Sequence, residues 1–410
     1  MKMGSLAIRL ILGATLLLGG APGALAQKVS DDVVKIGVLT DFNGVYSDFS
    51  GQGSLTAVRM AVEDFGGKVL GKPIEVIFGD HQNKADIGSA IAREWYDAQH
   101  VDIIMDTTNS AVTLAVMALT HQKDRIVVIG GSSTVRVTND DCTPNSIQYV
   151  YDANSLSNVV GKSVIKQGGD TWFFVTVDFA FGHGLEKTTS DVVNAAGGKV
   201  VGSVRHPLNA SDMSSFLLRA QASGAKVIGL ATAGTDLSNA IKTANQFGIT
   251  GPNSKQQLAS LLVFISDVHG MGLQQAQGLL LTESFYWDLN DDTRNWSRRF
   301  LAKHGKMPTM VHAAMYSATT HYLKAVQGVG TDETKPVMAR MKATPVNDFF
   351  ARDGRIREDG LHVHDMYLMQ VKRPEESKYP WDYYQVKAVI PPEEAFKSME
   401  QGTCKFVKKN

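Results

Sequence analysis

Leu55, Val58, Val62 and Phe65 recur at three- and four-residue spacing and draw one apolar stripe along a helix, which Gly66-Gly67 then stops as a left-handed cap would. Short, nearly continuous apolar runs flank it, at 34–39 before and 74–78 after, and read as buried strands. A helix around Ile87, Ile91 and Trp95 follows, then a strand at 101–105, a helix at 111–119 and a strand at 126–129. The rhythm restarts after Tyr151-Asp152, with a helix around Val159, Val160 and Val164 and a strand at 171–175. A helix through Val192 and Val193 ends at a second glycine pair, Gly197-Gly198. Strands at 200–204, 227–231 and 261–264 follow, with helices near 216–222 and 237–247. Strand and helix in alternation predict a parallel sheet covered by helices on both faces. Two such runs predict two α/β lobes.

Near Thr282 the pattern changes. Helical stretches at 293–304 and 313–326 follow one another without a strand, and the tail reads as β-rich at 362–371 and 381–390, closed by Pro391-Pro392. No low-complexity linker separates the runs, so several short crossings are expected to join the lobes.

The N-terminus reads as an export signal. Lys2 and Arg9 precede and flank the apolar run 10–18, and Ala24-Leu25-Ala26 supplies the small residues of a cleavage site. The run is shorter than the about 20 residues of a membrane span. A mature protein starting at Gln27 and working in the periplasm is expected, with no segment embedded in a membrane. Lys plus Arg and Asp plus Glu both number 41, so no net field draws the chain to nucleic acid. The two cysteines, Cys142 and Cys404, are expected to be bridged in an oxidising compartment, the other reading being two separate buried thiols.

No nucleophile elbow, phosphate loop or His-Glu-x-x-His motif occurs, so neither an enzyme nor a cofactor is expected. The glycines of 42–53 lack dinucleotide-binding spacing. His362 and His364 would share one face of a strand, but two histidines make too few ligands; they read as exposed polar residues, and no metal is expected. The stretches Thr107-Thr108-Asn109-Ser110 and Gly131-Ser132-Ser133-Thr134 say more. Each follows a predicted parallel strand, where doubly wound sheets bind ligands. Helix caps would explain either stretch alone. Two at strand ends of one lobe point to donors for a carboxylate.

At these residues the chain resembles the periplasmic solute-binding proteins of the branched-chain amino acid (Leu/Ile/Val) type, which serve ABC importers. Ile36-Gly37-Val38-Leu39-Thr40-Asp41 with Gly44 and Gly51-Gln52-Gly53 is similar to the family's opening strand and ligand loop. The segment 66–76, Asp80-His81-Gln82-Asn83, Asp178-Phe179-Ala180-Phe181-Gly182, and Pro207 with Ser211-Asp212-Met213-Ser214-Ser215-Phe216 extend the likeness in order along the chain. The resemblance implies the type I periplasmic binding protein fold: two doubly wound lobes joined by three crossings, closing on a ligand. It implies a first lobe from 33–149 and 283–345, a second from 150–282 and 346–410, and a monomer. It also implies a small organic carboxylate as ligand and an inner-membrane permease and ATPase complex as partner. A sensor presenting the ligand to a membrane receptor is the alternative.

Carried over residue by residue, the carboxylate contacts fall on Asn109, Ser110, Gly131, Ser132 and Ser133, and the aromatic walls on Phe49 and Phe181. The second-lobe contact falls around Thr235, and the acid facing an amino group on Asp267. The Phe285-Tyr286-Trp287 cluster is expected to help shape the apolar end. Phe181 in place of Tyr and Asn109 in place of Ser both touch amino acid contacts. They point toward an oxo, hydroxy or aromatic acid, with an amino acid left open.

Overall fold

The structure is a computed structural model that describes residues 28–251 and 254–408; the export signal read at 1–26 lies outside them. Strand β1 (Val34–Thr40) is buried along its length except at half-buried Lys35, which is why its sequence is a nearly continuous apolar run rather than an alternation. It lies between β3 (Lys72–Asp80) and β4 (Ile103–Met105), parallel to both. The hairpin strand β2 (Lys68–Val69) with β5 (Ile126–Ile129) and β6 (Ser146–Gln148) completes the order β2-β3-β1-β4-β5-β6. The second sheet, from β7 (Thr171–Val177), β8 (Lys199–His206), β9 (Val227–Ala231) and β10 (Gln257–Ser260), runs β10-β9-β7-β8. In each sheet the first strand has later strands on both sides, so the winding reverses beside it and opens a crevice at the strand ends.

The chain leaves the first lobe after β6 and returns after β11 (Leu280–Glu283), where the Ser284 amide meets the Met310 sulfur at 3.4 Å. The helices Asp291–His304 and Met310–Val329 pack on the helix Gly51–Asp64 of the first lobe. The ribbon β12 (Arg355–Ile356) and β13 (His362–Val363) precedes a third passage into β14 (Met366–Val371), which pairs antiparallel with β11 and with β15 (Tyr384–Ile390). Residues 346–363, read from sequence as second-lobe chain, bond to first-lobe residues: Ser317 Oγ donates to Asp348 Oδ2 at 2.6 Å, and Gln148 N to Gly360 O at 2.9 Å.

Three expectations change. The run 261–264 is not a ladder strand: pairing ends with β10, and Leu261 to Phe264 are apolar because they are fully buried leading into the helix Ile265–Met271. The tail strand expected at 362–371 breaks at His364-Asp365, where the His364 ring meets the Asp365 carbonyl at 2.9 Å. His362 and His364 are not exposed; they are 0% and 2% accessible, packed edgewise among Tyr149, Phe350 and Phe396. Burial pushes both imidazoles below their ordinary pKa and keeps them neutral. Cys142 and Cys404 are bonded, with Cα atoms 5.6 Å apart, and Asn139 Oδ1 accepts from Thr403 N at 3.0 Å beside the bridge. No helix among the described residues is long and apolar enough to cross a membrane.

Candidate functional site

The crevice of the first sheet is organised by a residue that sequence reasoning missed. Asp106, directly after β4, is fully buried with φ 73°. Its carboxyl accepts from Ser54 Oγ at 2.6 Å, Thr40 Oγ1 at 3.1 Å and Gly131 N at 3.0 Å, so it ties together the ends of β1, β4 and β5 and the helix between the first strands. Burial raises its pKa and these donors oppose the rise. A Cβ on Gly130 would stand 2.6 Å from Asp106 Oδ1, so glycine there is a demand of close approach. The signal was a lone Asp at a strand end, which by itself looks like a turn residue.

Asp41 shapes the adjoining loop by accepting from Gly44 N at 2.7 Å, Tyr46 N at 2.9 Å and Asn83 Nδ2 at 2.7 Å. That fold delivers Tyr46 and Phe49 to the crevice. Asn109 caps the helix Ser110–Gln122, its Oδ1 accepting from Ala111 N at 2.9 Å and Val112 N at 3.4 Å. Its acceptor is thus spent locally. Ser110 and Ser132 share a hydroxyl bond of 3.0 Å. Ser133 Oγ is buried without a hydrogen-bond partner, whereas its carbonyl holds the first crossing through Ala153 N at 2.8 Å. Tyr151, in that crossing, donates from Oη to Gly131 O at 2.9 Å.

The lobes are closed on one another. Phe49 stacks on Phe264 with centroids 4.0 Å apart, and Thr235 N reaches Val45 O at 3.3 Å. Tyr46, Phe49, Asn109, Ser110, Gly131 and Phe181 line a residual cavity of about 10 Å³. That is room for one water at most. Ser132, Ser133 and Asp267 are not in its lining, and the Thr235 side chain is exposed; Ala233 lines the cavity in its place. Asp267 is buried and caps its own helix, accepting from Phe264 N at 2.9 Å through Oδ2. Burial lifts its carboxyl to about 7, with the Asp48 charge adding to the rise. Tyr286 and Trp287 do not wall the cavity: their Oη and Nε1 donate to Trp381 O at 3.2 and 2.9 Å and clasp the tail. No three His, Cys, Asp or Glu side chains among the described residues gather in a way that could hold a metal.

A family profile described as periplasmic binding protein matches residues 33–378. A periplasmic binding protein of Burkholderia mallei is 52% identical, with 92% of this chain and all of that one covered at a TM-score of 0.90. A branched chain amino acid ABC transporter periplasmic ligand-binding protein of Burkholderia xenovorans is 39% identical, with 91% and 99% covered at a TM-score of 0.82. A Leu/Ile/Val-binding protein homolog of Brucella abortus is 23% identical over 67% of this chain and 70% of its own.

Proposed function

The chain belongs to the periplasmic binding protein family, and from that premise we propose that it captures a small organic carboxylate between its lobes for delivery to an ABC importer. Proteins of this family bind ligands rather than transform them, so the chain is not an enzyme. The observation that carries the ligand class is Ser133 Oγ, a buried hydroxyl with no protein partner in the loop after β5. An uncommitted hydroxyl in the loop that meets the positive end of the helix Ser110–Gln122 through the Ser110–Ser132 bond suits an anionic head group. On this reading Asn109, Ser110, Gly131, Ser132 and Ser133 form the first-lobe anchor. Phe49 and Phe181 shape the apolar end, and Asp267 and the backbone at Thr235 contribute from the second lobe.

Capture follows from the closed geometry. The Phe49–Phe264 stack and the Val45–Thr235 contact exclude water from the anchor, which strengthens hydrogen bonds to a charged head group. A ligand enters an opened form and the same contacts re-form around it. The permease and ATPase of an ABC importer are the partners this function requires. The test is a thermal-shift screen of mature protein against amino, oxo, hydroxy and aromatic acids, because a ligand of the folded state raises its stability by mass action. A Tm rise with one of these acids supports the reading; no rise with any of them removes it.

A further inference from the structure

We infer that the Tyr46 hydroxyl is a direct ligand contact, which selects a carboxylate carrying a second oxygen function, oxo or hydroxyl, over one carrying an amino group. The inference rests on the capture reading above. Tyr46 is 3% accessible, and its Oη is buried with no hydrogen-bond partner. The other hydroxyls that line the same cavity are spent: Thr108 Oγ1 lies 2.6 Å from Thr40 Oγ1, and Ser110 shares its bond with Ser132 at 3.0 Å. Tyr46 therefore supplies the one uncommitted hydroxyl among the described residues of the lining. A buried polar atom without a partner is costly unless one arrives from outside the protein.

The loop holds this residue from both sides: Tyr46 N donates to Asp41 Oδ2 at 2.9 Å, and Tyr46 O accepts from Ser50 Oγ at 2.9 Å. Its ring packs on Phe49 with centroids 5.4 Å apart, and a Cβ added to Gly234 of the second lobe would stand 3.2 Å from Tyr46 Cδ1. The ring thus belongs to the face where the lobes meet, and closure shuts it in with whatever the cleft holds. Burial pushes the phenol well above its ordinary pKa, and the Asp236 and Asp41 charges add to the rise, so it keeps its proton at neutral pH. A phenol can both donate and accept, which suits an oxo or a hydroxyl oxygen. An ammonium fits poorly. No Asp or Glu among the described residues lines the cavity, so its charge would leave water with no acid to offset the loss.

The experiment is calorimetry and thermal shift on wild type and Tyr46→Phe with matched probes. The pairs are 4-methyl-2-oxopentanoate against 4-methylpentanoate and 4-hydroxybenzoate against benzoate. Leucine supplies the amino group, and 4-methylphenol carries a hydroxyl without a carboxylate. In at least one pair the oxygen-bearing member is expected to bind wild type about fivefold or more tighter, with leucine weaker than that member. Tyr46→Phe should cut the ratio to about twofold or less while the oxygen-free member keeps its affinity. Because the hydroxyl has no protein partner, the ligand-free variant should melt no lower than wild type, a result that a merely structural role would not give. Absence of the preference in every pair, a preference unchanged by the variant, equal loss for both members, or leucine as the tightest probe overturns the inference. So does a lowered Tm of the ligand-free variant, or failure of every oxygen-bearing probe to bind. If carboxylates bind and only the ratio fails to respond, the capture reading stands and this contact falls. Binding of 4-methylphenol but of no carboxylate, lost in Tyr46→Phe, would leave the Tyr46 contact standing and remove the carboxylate reading instead.

Discussion

The carbonyl oxygen of Val45, in the first lobe's loop, sits where a Cβ on Gly234 of the second lobe would have to go. Gly234 also has φ 62°, a conformation that costs a residue with a side chain on the order of 1–2 kcal/mol. The two lobes touch here through backbone, so this glycine is a condition of closure. Gly234→Ala is expected to hold the lobes apart and weaken every ligand by about tenfold or more. Scattering profiles with saturating ligand should show the variant more open than wild type. An unchanged affinity would show that closure does not pass through this contact.

How much of this was legible in the sequence depends on what made each residue apolar. Leu55, Val58, Val62 and Phe65 repeat at helical spacing because one stripe of the helix Gly51–Asp64 faces the sheet, and that signal is local. Leu261 to Phe264 carry the same composition as a buried strand but owe it to contacts of the loop, including the stack of Phe264 on Phe49. Periodicity cannot separate those two causes. His362 and His364 misled for the opposite reason: imidazoles were read as surface groups, and the tail folds them into an aromatic core. Asp106 was invisible because its meaning comes from Gly131, Ser54 and Thr40, which lie 25, 52 and 66 residues away along the chain.

Ser133→Ala should weaken every carboxylate ligand regardless of its other end. The lost bond to a charged group corresponds to roughly 1.5–3 kcal/mol, about ten- to hundredfold. Calorimetry with any ligand found by the screen measures it. Asn109→Ala is a poorer probe, because removing a helix cap costs roughly 1 kcal/mol of stability by itself. A Ser133→Ala protein that binds as tightly as wild type would place the anchor elsewhere.

The bond between Cys142 and Cys404 closes a loop with a sequence separation of 262 residues and fixes the tail to the first lobe. Cys142→Ser with Cys404→Ser should lower stability by about 2–5 kcal/mol in the chain-entropy account. Denaturant unfolding of oxidised wild type against the double variant reads the difference. Non-reducing peptide mapping checks the pairing itself, and two alkylatable thiols in native protein would refute it.

Export should remove residues 1–26. Intact-mass analysis of periplasmic material is expected to show a chain beginning at Gln27. Uncut chain recovered with membranes would contradict both the cleavage and the compartment.

Asp267 gives a pH dependence whose sign can be worked out. Its carboxyl is lifted by burial to about 7 in the folded protein, while in the unfolded chain it titrates near 3.9. Below about pH 4 it is protonated in both states and contributes nothing. Between about 4 and 7 the unfolded chain ionises and the folded one does not, so this group lowers stability as pH rises, and above about 7 the full cost is present. A gap of about three units corresponds to a cost on the order of 4 kcal/mol. Asp267→Asn keeps an oxygen to accept from Phe264 N but removes the ionisation. Relative to wild type it should therefore gain stability progressively from pH 4 to pH 7 and plateau above. Buried neutral histidines act in the opposite sense: His81, lowered by burial to about 4, favours the folded state less as pH falls below about 6.5. That background is common to both proteins and cancels in the difference. Urea midpoints of the pair across this range are the measurement. A difference that does not change with pH would mean Asp267 ionises normally, with solvent or a ligand group offsetting its burial.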